Sequence, residues 1–220
     1  MVEATDGRPD TAEELVIEPP AFVLESDRLA LAFFVARSAH AGHTRGDHGR
    51  PYLEHPIQVA QLLEEQAYDE ATIAAALLHD VVEDSGLTVE DVVESFGVGV
   101  GELVAALTED PAVDDWEQRK RALRDAVAEA APRALVIYVA DKLANLHDWR
   151  VVYAEIGERA VEYFKAPTLD ARIRAWHGDL ELAEAAGGDR ALTARFRAEL
   201  EAFEDQRASR PDRVGVNASA

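Results

Sequence analysis

Apolar residues recur along most of the chain at intervals of three and four, broken by Gly, Pro and clusters of charge. That is the period of helices buried on one face. Ser26 and Asp27 offer a cap for a first helix running through LALAFFVARSAHAG. A Gly- and charge-rich loop, TRGDHGRPYLE, separates it from a second helix that starts near His55, places Pro56 in its first turn and runs through IQVAQLLEEQA. Residues 69–83 (DEATIAAALLHDVVE) read as a third helix, and Thr88 caps a short fourth, VEDVVESFG, stopped by Gly97.

Two more helical segments span about 99–108 and 115–130. RALVIYVADKLANLHDWR is apolar around most of its circumference, as a buried helix is. Its LVIYVA stretch has strand-like residues, but no partner strand is in sight. Two or three helices fill 151–206, with Gly187-Gly188 between the last two. β-Branched alternation closed by Asn-Gly turns is nearly absent. The pattern predicts an all-α single domain over 21–206, preceded by a polar, mobile leader (1–20) and followed by a mobile tail (207–220).

Composition narrows the chemistry. Hydrophobic residues make up 48% of 220, enough for a buried core. Asp and Glu number 43 against 22 Lys and Arg, a formal net charge of −21. Such a surface repels nucleic acid and anionic membranes, which are bound through Lys and Arg. No apolar run reaches the length of a membrane span, and the acidic N-terminus is unlike a signal peptide, so a cytoplasmic protein is expected. With no cysteine, any metal must be held by His, Asp and Glu, which favours a hard or borderline divalent ion.

Three places stand out. His79 and Asp80 sit side by side at the end of the apolar stretch AAALL, where neither is tolerated unless paired or ligated. On a helix, His79 shares a stripe with Glu83, and Asp80 with Asp84. One turn then offers two ligands and the next two carboxylates, an arrangement suited to activating and orienting a water; the plain alternative is an acidic helix end. Asp141 lies in the apolar VADKLANL with Asn145 on its face, and a buried carboxylate needs a metal or a cation. Lys142, turned about 100° away, is a poor direct partner, and a structural Asp–Arg pair is the alternative. His55 precedes Pro56 and alone is an ordinary helix-start histidine. Together, His55, His79, Asp80 and Asp141 make a two-nitrogen, two-carboxylate set that an octahedral divalent ion accepts with positions to spare.

The stretches AHAGHTRG, GRPYLEHPIQVAQLL, AAALLHDVVEDSGLTVEDVVESFG, LVAALTE and VADKLANL resemble the HD-domain phosphohydrolases, and among them the small alarmone (ppGpp) hydrolases of the RelA/SpoT-homologue group. The resemblance covers 39 to about 150. It implies an HD-domain helical bundle that binds Mn²⁺ through His55, His79, Asp80 and Asp141. Glu83 and Asp84 would be catalytic acids, and Arg45, Tyr52, Thr108, Lys142 and Asn145 would contact or shape the place of a phosphorylated nucleotide. The implied reaction is hydrolysis of the 3′-pyrophosphate of ppGpp to GDP and pyrophosphate.

The family loop reads Arg-Lys-Ser-Gly-Glu-Pro-Tyr; here Arg45-Gly46-Asp47-His48-Gly49-Arg50-Pro51-Tyr52 lacks the Lys and carries an extra residue. That departure keeps another phosphorylated nucleotide open, such as an adenine alarmone or the 2′-phosphate of NADPH. A catalytically inactive sensor is the rival of another class. His147 is expected near the phosphates or at a helix end, and His48 and Arg50 at the phosphates or on the surface. His40 and His43 are read as structural, Glu109-Asp110 as a solvated loop, and Trp116, Trp149 and Trp176 as packing anchors. The helical pair over 179–206 is read as packing or a dimer face, leaving homo-oligomerisation open.

Overall fold

Ser26 accepts hydrogen bonds from the backbone N–H groups of Arg28 and Leu29 at 3.2 Å each, and so starts the first long helix as its position in the sequence predicts. The computed structural model describes residues 17–45, 50–164 and 166–210; the expected leader (apart from residues 17–20), His48 and the expected tail from 211 onward lie outside them. Twelve α-helices, one 3₁₀ turn and one two-stranded ribbon follow one another among the described residues. The order is α1 (Ala21–Leu24), α2 (Asp27–Ala39), β1 (Thr44–Arg45), β2 (Arg50–Pro51), α3 (Glu54–Glu64), α4 (Glu70–Leu78) and α5 (Val81–Asp84). Then come α6 (Val89–Phe96), α7 (Val98–Leu107), α8 (Trp116–Glu129), α9 (Pro132–Ile156), the 3₁₀ turn Gly157–Arg159, α10 (Ala160–Tyr163), α11 (Leu169–Ala185) and α12 (Arg190–Ser209). The all-α reading holds, and α12 carries the domain three residues past the expected boundary at 206.

Two helices form the centre. Every residue of α4 from Thr72 to Leu78 is buried. Every residue of α9 from Ala134 to Ala144 is buried too, so the strand-like LVIYVA stretch is helix, enclosed on all sides. Helix α4 packs against α2, α3 and α7; α9 packs against α3, α11 and α12. An aromatic group seals the far end of α9: Trp149 stacks on Phe164 at 4.5 Å and meets Trp176 edge-on at 5.5 Å, as expected of packing anchors. Thr88 and Asp91 form a capping box on α6. Helix α7 then lies so close that a Cβ at Gly101 would fall 2.2 Å from the Val93 side chain.

The expected third helix differs in one respect that matters. Regular helix ends at Leu78, and the chain bends at His79-Asp80 before resuming as α5. The His79 Nδ1 bonds the Ala76 carbonyl at 2.8 Å, a side-chain bond that competes with the helix ladder. The bend sits where α3, α4 and α9 come together.

Candidate metal centre

His55 opens α3, His79 and Asp80 occupy the bend after α4, and Asp141 lies in the middle of α9. Three helices thus bring four side chains to one point. His55 Nε2 is 3.0 Å from Asp141 Oδ1 and 3.9 Å from Asp80 Oδ2. His79 Nε2 is 3.2 Å from Asp80 Oδ2 and 3.8 Å from Asp141 Oδ1. One ligand atom each from His55, His79 and Asp141 falls within 4.8 Å of the others, and all three residues are buried.

The donor set fits a divalent cation. Because the Ala76 carbonyl only accepts, the bond to it requires a proton on His79 Nδ1, so Nε2 is the nitrogen left to face the carboxylates and to give its lone pair to an ion there. That Nε2 is buried and makes no hydrogen bond. Burial alone would lower the His79 imidazole, but Asp80 and Asp141 reverse this and push it up to about 9. A proton held between two acids marks a place where positive charge is favoured, the place a metal ion takes. Burial would raise Asp141, but the Lys142 ammonium and His55 hold it well below the usual carboxylate range.

Lys142 corrects the sequence reading. Its Nζ lies 2.6 Å from Asp141 Oδ2, and 4.5 Å above the Tyr138 ring. A four-carbon stem reaches back across the 100° that separates adjacent helical residues. The ammonium is buried behind Asp141, on the carboxylate oxygen that the histidines do not approach.

Of the other expected site residues, Tyr52, Asn145 and Arg45 join the cluster through hydrogen bonds, whereas Thr108 bonds only within its own helix. Tyr52 donates from its hydroxyl to Asp80 Oδ2 at 2.7 Å. Asn145, one turn after Asp141, donates to Asp141 Oδ1 and accepts from Arg45. Arg45 pairs with the buried Asp148 at 3.3 Å, and its backbone carbonyl accepts from the Tyr163 hydroxyl at 2.7 Å. Arg50 pairs with Glu54 at 2.6 Å. Thr108 turns its hydroxyl back to the Val104 carbonyl, 2.9 Å away at the end of α7.

Glu83 and Asp84 part company. Glu83 accepts from the Glu109 N–H at 2.6 Å. It sits at the rim, yet enough protein surrounds it that desolvation and Asp80 push its carboxyl up to about 7. Asp84 faces the end of α2, with its Oδ2 3.6 Å from His40 Nδ1. His40 and His43, read from the sequence as structural, converge there with Asp84; burial holds the His40 imidazole down to about 4.

Two further readings do not survive. Glu109 is not solvated: its carboxylate bonds Arg119 at 2.9 Å and Lys120, with 14% of its side chain exposed. An acid in a DP-containing loop gives no sequence sign that α8 will bring two cations to it. His147 neither ends a helix nor faces the site, because α9 continues to Ile156 and His147 points out toward Glu199 at 3.2 Å. Asp148, which anchors Arg45, was missed; its burial inside α9 is its only sequence signal.

A family model described as HD domain matches residues 32–165. The chain is 36% identical over 154 residues to a guanosine-3′,5′-bis(diphosphate) 3′-pyrophosphohydrolase of Vibrio cholerae, a match covering 70% of this chain and 19% of that protein. It thus spans about a fifth of the length of that relative. It is 37% identical over 141 residues to the human guanosine-3′,5′-bis(diphosphate) 3′-pyrophosphohydrolase MESH1, covering 62% of this chain and 78% of the human one. A solved structure described as a metazoan orthologue of SpoT that hydrolyses ppGpp superposes with a TM-score of 0.61 at 28% identity, over 87% of this chain and 98% of that one.

Proposed function

Since the chain belongs to the HD domain family, we propose that it is a Mn²⁺-dependent phosphohydrolase that removes the 3′-pyrophosphate of ppGpp, giving GDP and pyrophosphate. The observation that carries this is the convergence of two imidazole Nε2 atoms and two carboxylates at 3.0–3.9 Å on one buried point. His55, His79, Asp80 and Asp141 would hold the ion, which when bound lowers the pKa of a water and offsets charge on phosphate. The names of the human and Vibrio relatives support the choice of nucleotide.

The protein's own side chains supply the rest. Tyr52 holds Asp80 through its hydroxyl, and Lys142 and Asn145 hold the two oxygens of Asp141, so the carboxylates are fixed in direction. Glu83, pushed up to about 7 and bonded through one oxygen to the Glu109 N–H, holds a proton near neutrality that it gives to the departing 3′-oxygen. Asp84, at the other side of the bend, orients water. Arg45, locked between Asn145 and Asp148, presents its guanidinium edge above Tyr52 toward the nucleotide. No helix among the described residues is long and apolar enough to cross a membrane.

The test is product identity. Metal-stripped protein reloaded with Mn²⁺ should release pyrophosphate and GDP from ppGpp. Orthophosphate as the product, or an equal or faster rate on NADPH, would overturn the assignment; nucleotide and Mn²⁺ binding with no product would make it a sensor.

A further inference from the structure

Outside the four-ligand set, a second group of metal-ligating side chains comes together: two histidines with no role so far, and Asp84, placed above beside the water. His40 directly follows α2, His43 stands just before β1 and accepts a backbone hydrogen bond from the Tyr52 N–H at 2.9 Å, and Asp84 ends α5. One ligand atom from each lies within 4.8 Å of the other two. His40 is 3% exposed, and neither of its ring nitrogens has a hydrogen-bond partner. Asp84 Oδ2 is likewise buried and without one, 3.6 Å from His40 Nδ1, too far for a hydrogen bond. A buried imidazole and a buried carboxylate oxygen left unsatisfied beside each other are costly, and a cation between them would satisfy both.

We propose that His40, His43 and Asp84 bind a second divalent cation, of the borderline kind that Zn²⁺ and Co²⁺ represent. Two imidazoles and one carboxylate form the donor set of zinc sites that keep an open position for water. His43 and part of Asp84 remain exposed, which gives the ion an entry path and the site an open side. Tyr52 separates the two groups: its ring centre is 4.8 Å from that of His40 and 6.1 Å from that of His55, while its hydroxyl reaches Asp80. Asp84 then serves as a ligand and Glu83 alone handles protons.

The test counts ions on full-length protein stripped with chelator. Equilibrium dialysis against Zn²⁺, and titration with Co²⁺ followed by its visible absorption, should each find two ions per chain. His43→Ala changes an exposed residue and should fold; it should bind one ion, and Asp84→Asn should do the same. One ion in the wild type that survives His43→Ala, or two ions in both, overturns the second site. One ion that is lost in His43→Ala but kept in His55→Ala upholds it and instead refutes the four-ligand centre, so the two failures are separable.

Discussion

Lys142→Met tests what the buried ammonium is for. Lys142 and Asp141 are each about nine-tenths buried, with Nζ and Oδ2 2.6 Å apart. Burial pulls the Lys142 ammonium down, but Asp141 more than offsets it and holds it charged. Methionine keeps the length and apolar stem of the side chain and removes the charge. In the metal-free protein this leaves Asp141 ionised and buried with one oxygen uncompensated. Breaking a buried pair in this way costs about 3–5 kcal/mol, and for a chain of this size each kcal/mol lowers Tm by roughly 2–4 °C. Calorimetry on chelated protein should therefore show Tm falling by roughly 6–20 °C. With metal in excess the loss should shrink, because an ion neutralises Asp141 from the other side, and removing a nearby cation should tighten metal binding. If Lys142 instead reached the substrate, the variant would raise KM for the nucleotide and leave the metal-free Tm in place. A metal-free Tm within about 2 °C of wild type would refute the role drawn from the structure.

Asp80→Ala removes a ligand and the acceptor of Tyr52 together, so metal content at the four-ligand centre and turnover should both vanish; retention of either, measured by elemental analysis and product release, would count against the centre. Glu83→Gln should leave metal content intact and lower kcat about 10²–10⁴-fold, the range for a lost proton donor. Its pKa is raised, so the proton is present at low pH and leaves as pH rises through about 7; wild-type kcat should fall on that alkaline side, and the Gln variant should lose the limb. The same sign makes Glu83 a stability liability that grows from its ordinary value of 4.5 up to about 7, so Glu83→Gln should melt higher than wild type above neutrality and no higher at pH 4. Gly101→Ala would set a methyl 2.2 Å from Val93 between α6 and α7 and should cost about 1–3 kcal/mol in denaturant unfolding.

The helices were legible because burial in this fold is mostly periodic. Ser26, Thr88 and Gly97 mark ends that the backbone respects, and α9 announces itself by being apolar all round. The candidate ligands stand out for the opposite reason: Asp141 inside one apolar helix and His79-Asp80 at the end of another break the pattern. What escaped was what depends on partners far away in sequence. Glu109 reads as loop until α8 folds Arg119 and Lys120 onto it. Lys142 reads as pointing elsewhere until its stem is allowed to bend. Glu83 and Asp84 read together as acids, but adjacent residues of α5 point about 100° apart, so one meets the loop after α7 and the other the end of α2. His40 and His43 looked ordinary because their third member lies 41 residues beyond His43.

Charge poses the last problem, since the proposed substrate, an anionic nucleotide, would have to enter a protein of net charge −21. The basic groups described around the site are already engaged: Arg45 by Asp148, Arg50 by Glu54, Lys120 by Glu109 and Lys142 by Asp141. None offers an unpaired charge to phosphate. One divalent ion on Asp80 and Asp141 cancels those two carboxylates and leaves over only the Lys142 charge, which is buried behind Asp141. A second ion on His40, His43 and Asp84 meets a single carboxylate and leaves the pocket with a positive excess, which is what a phosphate-rich ligand needs. The dependence of KM on free divalent cation carries this argument to a measurement. In wild type, KM for the nucleotide should fall in two phases as Zn²⁺ or Co²⁺ rises, and His43→Ala should lose one of them. A single phase in both proteins would mean that the attraction comes from the arginines after all, released from Asp148 and Glu54 as the nucleotide binds.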